Sequence, residues 1–176
     1  MKRLYKRVVF GCALLCLSTA ALQAEVAVPL ATDLHSDARF AQRKQLPMLL
    51  AFTANHCGYC NLLEEDFLQP MLLSGEYRDK IIMRKLVLDD GSRLRDFSGQ
   101  RIDATRLSDR YRVYVTPTIL FVDGNGKEIA ERMVGINTPE MFGGYLDDCI
   151  ETAWLMLRNP AGLAKLPGCR LTQPAR

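Results

Sequence analysis

Pro47-Met48-Leu49-Leu50-Ala51-Phe52-Thr53-Ala54-Asn55-His56-Cys57-Gly58-Tyr59-Cys60-Asn61-Leu62-Leu63 is the stretch from which the rest of the chain can be read. The apolar run Met48 to Phe52, bounded by Pro47 and Asn55, has the length and composition of a fully buried strand. Beyond it, Cys60, Leu63 and Phe67 share one helical face while Asn61, Glu64 and Glu65 share the other, which predicts an amphipathic helix. Cys57 and Cys60 fall at the junction. A strand feeding Cys-x-x-Cys into the first turn of a helix predicts a redox pair.

Unpaired backbone N–H groups and the positive end of the macrodipole stabilise a thiolate at a helix N-terminus. Cys57 is expected there, exposed and with a lowered pKa, as the nucleophile. Cys60, one turn further in on the apolar face, is then the resolving thiol. Gly58 is expected to allow a tight turn into the helix, and Tyr59 to tune the pair. The competing reading is half of a structural zinc site, but no second Cys pair or His pair follows at ligand spacing.

The ends set the compartment and the charge. Lys2, Arg3, Lys6 and Arg7 precede an apolar stretch from Val8 to Ala20, and Leu22-Gln23-Ala24 offers a small-residue cleavage site before Glu25. This predicts a secretory signal over residues 1–24 and a periplasmic mature chain. A retained inner-membrane anchor facing the periplasm is the alternative, although the apolar run is short for a bilayer span. Cys12 and Cys16 would leave with the signal, since no lipoprotein processing sequence precedes them. Removing these 24 residues leaves 152 of 176 and takes four basic side chains with it, so 23 Lys+Arg become 19 against 20 Asp+Glu. The resulting net charge of −1 gives no reason to expect a nucleic-acid partner. Four cysteines remain, Cys57, Cys60, Cys149 and Cys169, an even number in an oxidising compartment.

The remaining elements follow in order. Residues 25–31 read as an unpaired leader, and Asp33 as the cap of a helix carrying Leu34, Ala38 and Ala41 and ending near Lys44. Pro70 is expected to kink or break the Cys57 helix, with Met71 to Tyr77 making another short turn. Ile81 to Leu88 reads as a second buried strand, and 89–104 as an inserted polar loop without sustained period. A short helix from Thr105 to Tyr111 precedes a strand over Val115 to Val122. That strand turns at Asp123-Gly124-Asn125-Gly126 into a return strand from Lys127 to Met133. A last helix, capped by Thr138, runs from Pro139 to about Arg158 and carries Phe142, Leu146, Cys149, Ala153 and Met156 on its core face. Residues 25–158 thus form one domain of α/β class, a central mixed sheet with helices on both faces, followed by a tail over 159–176.

With these pieces in place, residues 32 to 157 resemble the thioredoxin superfamily. Two linked signals carry the resemblance: strand–Cys57-Gly58-Tyr59-Cys60–helix, and Thr116-Pro117 opening a later strand with a Gly-rich hairpin after it. The resemblance implies a thioredoxin fold, a cis Pro117 beside the cysteines, and a Thr116 backbone that pairs with a bound substrate strand. Lys85 looks like the lysine that thioredoxins keep near the buried thiol; a strand-end lysine reaching solvent is the other reading. Cys-Gly-Tyr-Cys with Thr before the proline is similar to catalytic domains of periplasmic disulfide isomerases. The whole-chain layout looks closer to stand-alone exported thioredoxins, including those linked to sulfur oxidation. Two departures stand out: Ala51 replaces the buried Asp that assists the resolving thiol in thioredoxins, and His56 replaces the Trp before the nucleophile. The chain also has no room for the dimerisation domain of an isomerase.

His56 could favour the Cys57 thiolate as an imidazolium, or be an exposed loop residue without electrostatic effect. Cys149 and Cys169 form a candidate structural disulfide. From Cys149 the last helix climbs about 12 Å at ~1.5 Å per residue, and the eleven residues from Arg158 to Gly168 are long enough to retrace it. The expected function is a periplasmic thiol–disulfide oxidoreductase, read as a monomeric reductase. It would act on cysteine-bearing proteins, supplied by a membrane thiol–disulfide donor or oxidant, without metal or organic cofactor. Two alternatives stay open: a copper or zinc carrier using Cys57, Cys60 and His56, and a non-catalytic binding module presenting 89–104.

Overall fold

A computed structural model describes residues 26–158 and Cys169. The expected signal segment 1–24, and the tail apart from Cys169, lie outside the described residues. The elements are α1 (Leu34–Lys44), β1 (Met48–Thr53), α2 (Gly58–Leu62), a π-helical segment (Leu63–Leu68), α3 (Gln69–Ser74), β2 (Ile82–Val87), β3 (Arg93–Arg95), β4 (Arg101–Asp103), α4 (Ala104–Tyr111), β5 (Thr118–Val122), β6 (Glu128–Val134) and α5 (Pro139–Arg158).

Four strands form a mixed sheet in the order β2-β1-β5-β6. β1 runs parallel to β2 and antiparallel to β5, which runs antiparallel to β6. Every residue of β1 is buried, as expected of a central strand covered on both sides. Successive side chains of a strand point to opposite faces, and the two cores follow that alternation. Leu49 and Ala51 face one layer with Leu63, Leu68, Met71 and, from α5, Phe142, Leu146 and Ile150. Met48, Leu50 and Phe52 face the other with Leu34 and Ala41 of α1 and Leu107 of α4. Fully burying a side chain such as Phe52 contributes about 1.5–3 kcal/mol. The α/β fold with helices on both faces is as expected.

Three local expectations are corrected. The leader is not unpaired: Lys85 donates its N–H to the Pro29 carbonyl and accepts from the Ala31 N–H, each at 2.8 Å, and Val28 is buried. An exposed sheet edge attracts backbone partners, and this short segment covers the outer side of β2.

Pro70 does not break the helix. The chain stays helical from Gly58 to Ser74, passing through the π segment, where the Gln69 N–H reaches the Glu64 carbonyl five residues back. The wider turn relieves the clash and the missing donor that a proline brings to an α-helix interior. It also rotates the following face, so that Leu68 is buried rather than Phe67, and Glu64 is half-buried rather than on the solvent side.

The segment 89–104 is an antiparallel ribbon rather than a loop, pairing Leu94 with Ile102 and burying both in the α1–α4 core. Each strand has only three residues with a single apolar side chain, too short to register as alternation. Asp96 closes its turn. The carboxylate is 1 % exposed and accepts hydrogen bonds from the Ser98 N–H and hydroxyl, the Gln100 N–H and Arg110. Burial pushes this carboxyl up, but Arg110, Ser98 and Gln100 together hold it down at about 2.

Candidate active site

β1 ends at Thr53, and the next residues turn the chain into α2. Asn55 is fixed by its N–H donating to Asp89 Oδ1 at 2.8 Å. His56 then takes a left-handed backbone conformation, φ 55°, which costs a non-glycine residue about 1–3 kcal/mol and persists only where the surrounding structure offsets that cost. The sequence places the tight turn at Gly58. The structure instead puts the positive φ at His56, while a Cβ on Gly58 would meet nothing within 4 Å.

Cys57 is the N-cap of α2 and its sulfur accepts the Cys60 N–H at 3.2 Å. The sulfur therefore occupies the anion position of a helix start, which on reduction favours the Cys57 thiolate. Cys57 and Cys60 are joined by a disulfide, with Cα atoms 5.2 Å apart. Cys57 is half-buried, whereas Cys60 is only 4 % exposed and faces inward. The arrangement is asymmetric, with one accessible sulfur and one covered.

The loop before β5 lies against the pair. The Thr116–Pro117 peptide bond is cis, and Thr116 Oγ1 lies 3.7 Å from Cys57 Sγ. β5 begins at Thr118 rather than at Val115: Pro117 has no N–H to donate to a ladder, and the Thr118 hydroxyl turns back to the Val115 carbonyl at 2.6 Å. Tyr59, Tyr114 and Val115 are all more than half exposed around this region.

Behind Cys60, Lys85 pairs in register with Ala51 on the neighbouring strand. Its ammonium does not run out to solvent. It donates to both oxygens of Glu64 at 2.8 and 2.6 Å, and Glu64 Oε1 also accepts the Val28 N–H at 3.2 Å. Glu64, Lys85, Cys60 and His56 line one cavity of about 150 Å³. The sequence reading missed Glu64 and Asp89. The available signal for Glu64 was its place four residues after Cys60, one helical turn on.

Cys149, fully buried in α5, and Cys169 are joined by a disulfide, and Cys169 Sγ lies 3.6 Å from the Glu131 carbonyl oxygen. Among the described residues no group of three or more His, Cys, Asp or Glu side chains is placed to hold a metal ion.

A second groove, of about 490 Å³, lies between α1, α4 and the 96–98 and 123–126 turns, and includes His35, Arg39, Phe97 and Tyr111. It does not include the cysteines.

The Thioredoxin-like domain family matches residues 34–150. No curated protein sequence matches the chain. Among solved structures, one described as a DsbH oxidoreductase superposes with a TM-score of 0.52 at 18% identity, covering 74% of this chain and 87% of its own. The oxidised mitochondrial thioredoxin 3 of Saccharomyces cerevisiae gives 0.47 at 19% identity, covering 69% and 94%. Thioredoxin O2 of Arabidopsis thaliana, also oxidised, gives 0.41 at 23% identity, covering 67% and 93%. With the family match spanning most of the described residues, the mixed sheet, and Cys57 and Cys60 at the start of α2, this chain belongs to the thioredoxin-like family and carries a Cys-x-x-Cys pair at the head of its first sheet-covering helix after β1.

Proposed function

We propose that this protein is a thiol–disulfide oxidoreductase of an oxidising, exported compartment, the periplasm, working as a reductase of cysteine-bearing proteins. The observation that carries the reading is the asymmetry of the pair: Cys57 caps the helix beside Thr116, and Cys60 is covered behind it. The Cys57 thiolate attacks a substrate disulfide, one substrate sulfur leaves, and a mixed disulfide forms. Cys60 then attacks Cys57 Sγ, closes the intramolecular disulfide and releases the second substrate sulfur. A membrane thiol donor would return the pair to its reduced form.

Tyr59, Tyr114, Val115 and the Thr116 backbone form the surface on which a substrate strand would lie. Export is supported by the basic and apolar pattern of residues 1–24, and by a Cys149–Cys169 disulfide of the kind that persists in oxidising compartments. Among the described residues no helix is long and apolar enough to cross a membrane.

The test is the equilibrium of the Cys57–Cys60 pair against glutathione, with insulin reduction as the activity. A potential near −270 mV, with activity abolished in Cys57→Ser, is the expected result for a reductase. A value near −120 mV would assign an oxidant. No reversible exchange would refute the redox reading.

A further inference from the structure

Four side-chain hydrogen bonds frame the groove between α1 and α4. From α1, the His35 Nδ1–H donates to the Phe97 carbonyl at 3.0 Å, and Gln42 Nε2 donates to the Gly124 carbonyl at 2.9 Å. From α4, Arg110 donates to the Asp96 carboxylate, and the Tyr111 hydroxyl donates to the Gly126 carbonyl at 2.6 Å. Each helix is therefore tied to the 96–98 turn at one end and to the 123–126 turn at the other. His35 and Gln42 are seven residues apart on α1, so the space between the two turns is about 10 Å long at ~1.5 Å per residue. A basin closed at both ends by hydrogen-bonded turns accommodates a compact molecule rather than a chain running through it. Its volume of about 490 Å³ falls in the range of small-molecule sites.

Floor and charge are distinct. Buried Ala38 and Leu107, with half-buried Phe97 and Tyr111, supply an apolar floor. Arg39, Asp96 and Arg110 also line the groove, and of these Asp96 and Arg110 neutralise each other. Arg39 is exposed and takes part in none of the ion pairs among the described residues. The one acid of its helix, Asp37, is held by Arg84. The groove thus carries one positive charge without a counter-charge, beside an apolar floor.

From this juxtaposition we infer that the groove is a binding site for a small monocarboxylate with an aromatic body. The carboxylate pairs with the Arg39 guanidinium, whose planar fork matches it, and the ring displaces water from Phe97, Tyr111 and Leu107. A second negative charge would face Asp96, and a neutral molecule would leave Arg39 unpaired. The site is separate from the redox pair. It includes neither cysteine, and β5 runs roughly 13 Å from Thr118 to Val122, at ~3.3 Å per residue, before the chain reaches the 123–126 turn.

The test is a titration of the ¹⁵N-labelled protein at pH 7, followed through its amide resonances. The probe is 3-phenylpropionate; 3-phenylpropionamide is its uncharged counterpart, and acetate is the charge without the ring. 3-Phenylpropionate should give saturable shifts concentrated at residues 35–42, 96–98, 107–111 and 124–126, with half-saturation at about 5 mM or below. The amide and acetate should each bind at least fivefold more weakly. Arg39→Gln should weaken 3-phenylpropionate at least fivefold and leave the amide within about twofold, which isolates the carboxylate–Arg39 pair. Arg43→Gln, one turn further along α1 and outside the groove, should leave both within about twofold.

No saturable shift from 3-phenylpropionate, or shifts centred on Tyr59, Tyr114 and Val115, would overturn the proposal. So would equal binding of acid and amide, or of acetate and 3-phenylpropionate. Equal loss of acid and amide in Arg39→Gln would reduce Arg39 to a packing stem. An equal weakening in Arg43→Gln would reduce the effect to diffuse surface charge, and either result would overturn the site as assigned.

Discussion

Asp96 offers the sharpest quantitative test of how the ribbon is held. Its carboxylate is 1 % exposed and accepts from Ser98, Gln100 and Arg110. In the folded protein it titrates at about 2 against an ordinary 3.8. A folded-state value below the unfolded one contributes stability that is fully present above the unfolded pKa. That stability is lost as pH falls through the folded pKa. At 1.36 kcal/mol per unit, the shift corresponds to about 2 kcal/mol at pH 7, most of it gone by pH 2. Asp96→Asn removes the titration and also sets amide hydrogens among the donors of Ser98, Gln100 and Arg110. It should therefore cost about 2–4 kcal/mol at neutral pH. Urea unfolding of both proteins, followed by circular dichroism between pH 7 and pH 2, gives the difference in stability at each pH. Every other carboxylate is common to the two proteins and cancels. The wild-type advantage should shrink by about 2 kcal/mol between pH 5 and pH 2. A constant difference across that range would refute the account, because it would mean that Asp96 gains nothing from its charge. The Cys57–Cys60 potential should not move, since Leu94 and Ile102 of the ribbon pack on the face of the sheet opposite the π-helical segment that follows Cys60.

Two further outcomes test the frame around the site. Cys149→Ala opens a disulfide with a sequence separation of 20, and loop-closure entropy puts the loss at about 3 kcal/mol; thermal unfolding should shift accordingly while insulin reduction persists. Gly126→Ala should cost about 2 kcal/mol or more by urea unfolding. At φ +79° a side chain is strained, and its Cβ would lie 2.8 Å from both Phe97 Cδ2 and the Tyr111 hydroxyl oxygen, which itself donates to the Gly126 carbonyl.

The sequence by itself determined the parts governed by local chemistry. An unbroken apolar run made β1 a central strand, Cys57 at a helix start followed from strand-to-helix patterning, and the Asp33 cap placed α1. The same local logic bounded α5 at Pro139 and Arg158.

What tertiary structure decided depends on groups far apart in the chain. Glu64 reads as a solvent-face residue until Lys85 arrives from β2 and Val28 from the leader. The polar stretch 89–104 becomes a ribbon only because Leu94 and Ile102 find a core already built by α1 and α4. Cys169 finds Cys149 across twenty residues of chain. Pro70 stays inside a helix because the helix around it is packed on the sheet and can widen by one residue rather than end. Periodicity records which face of an element is apolar, whereas the partner of a charge, a short strand or a thiol is fixed only when the long-range contacts close.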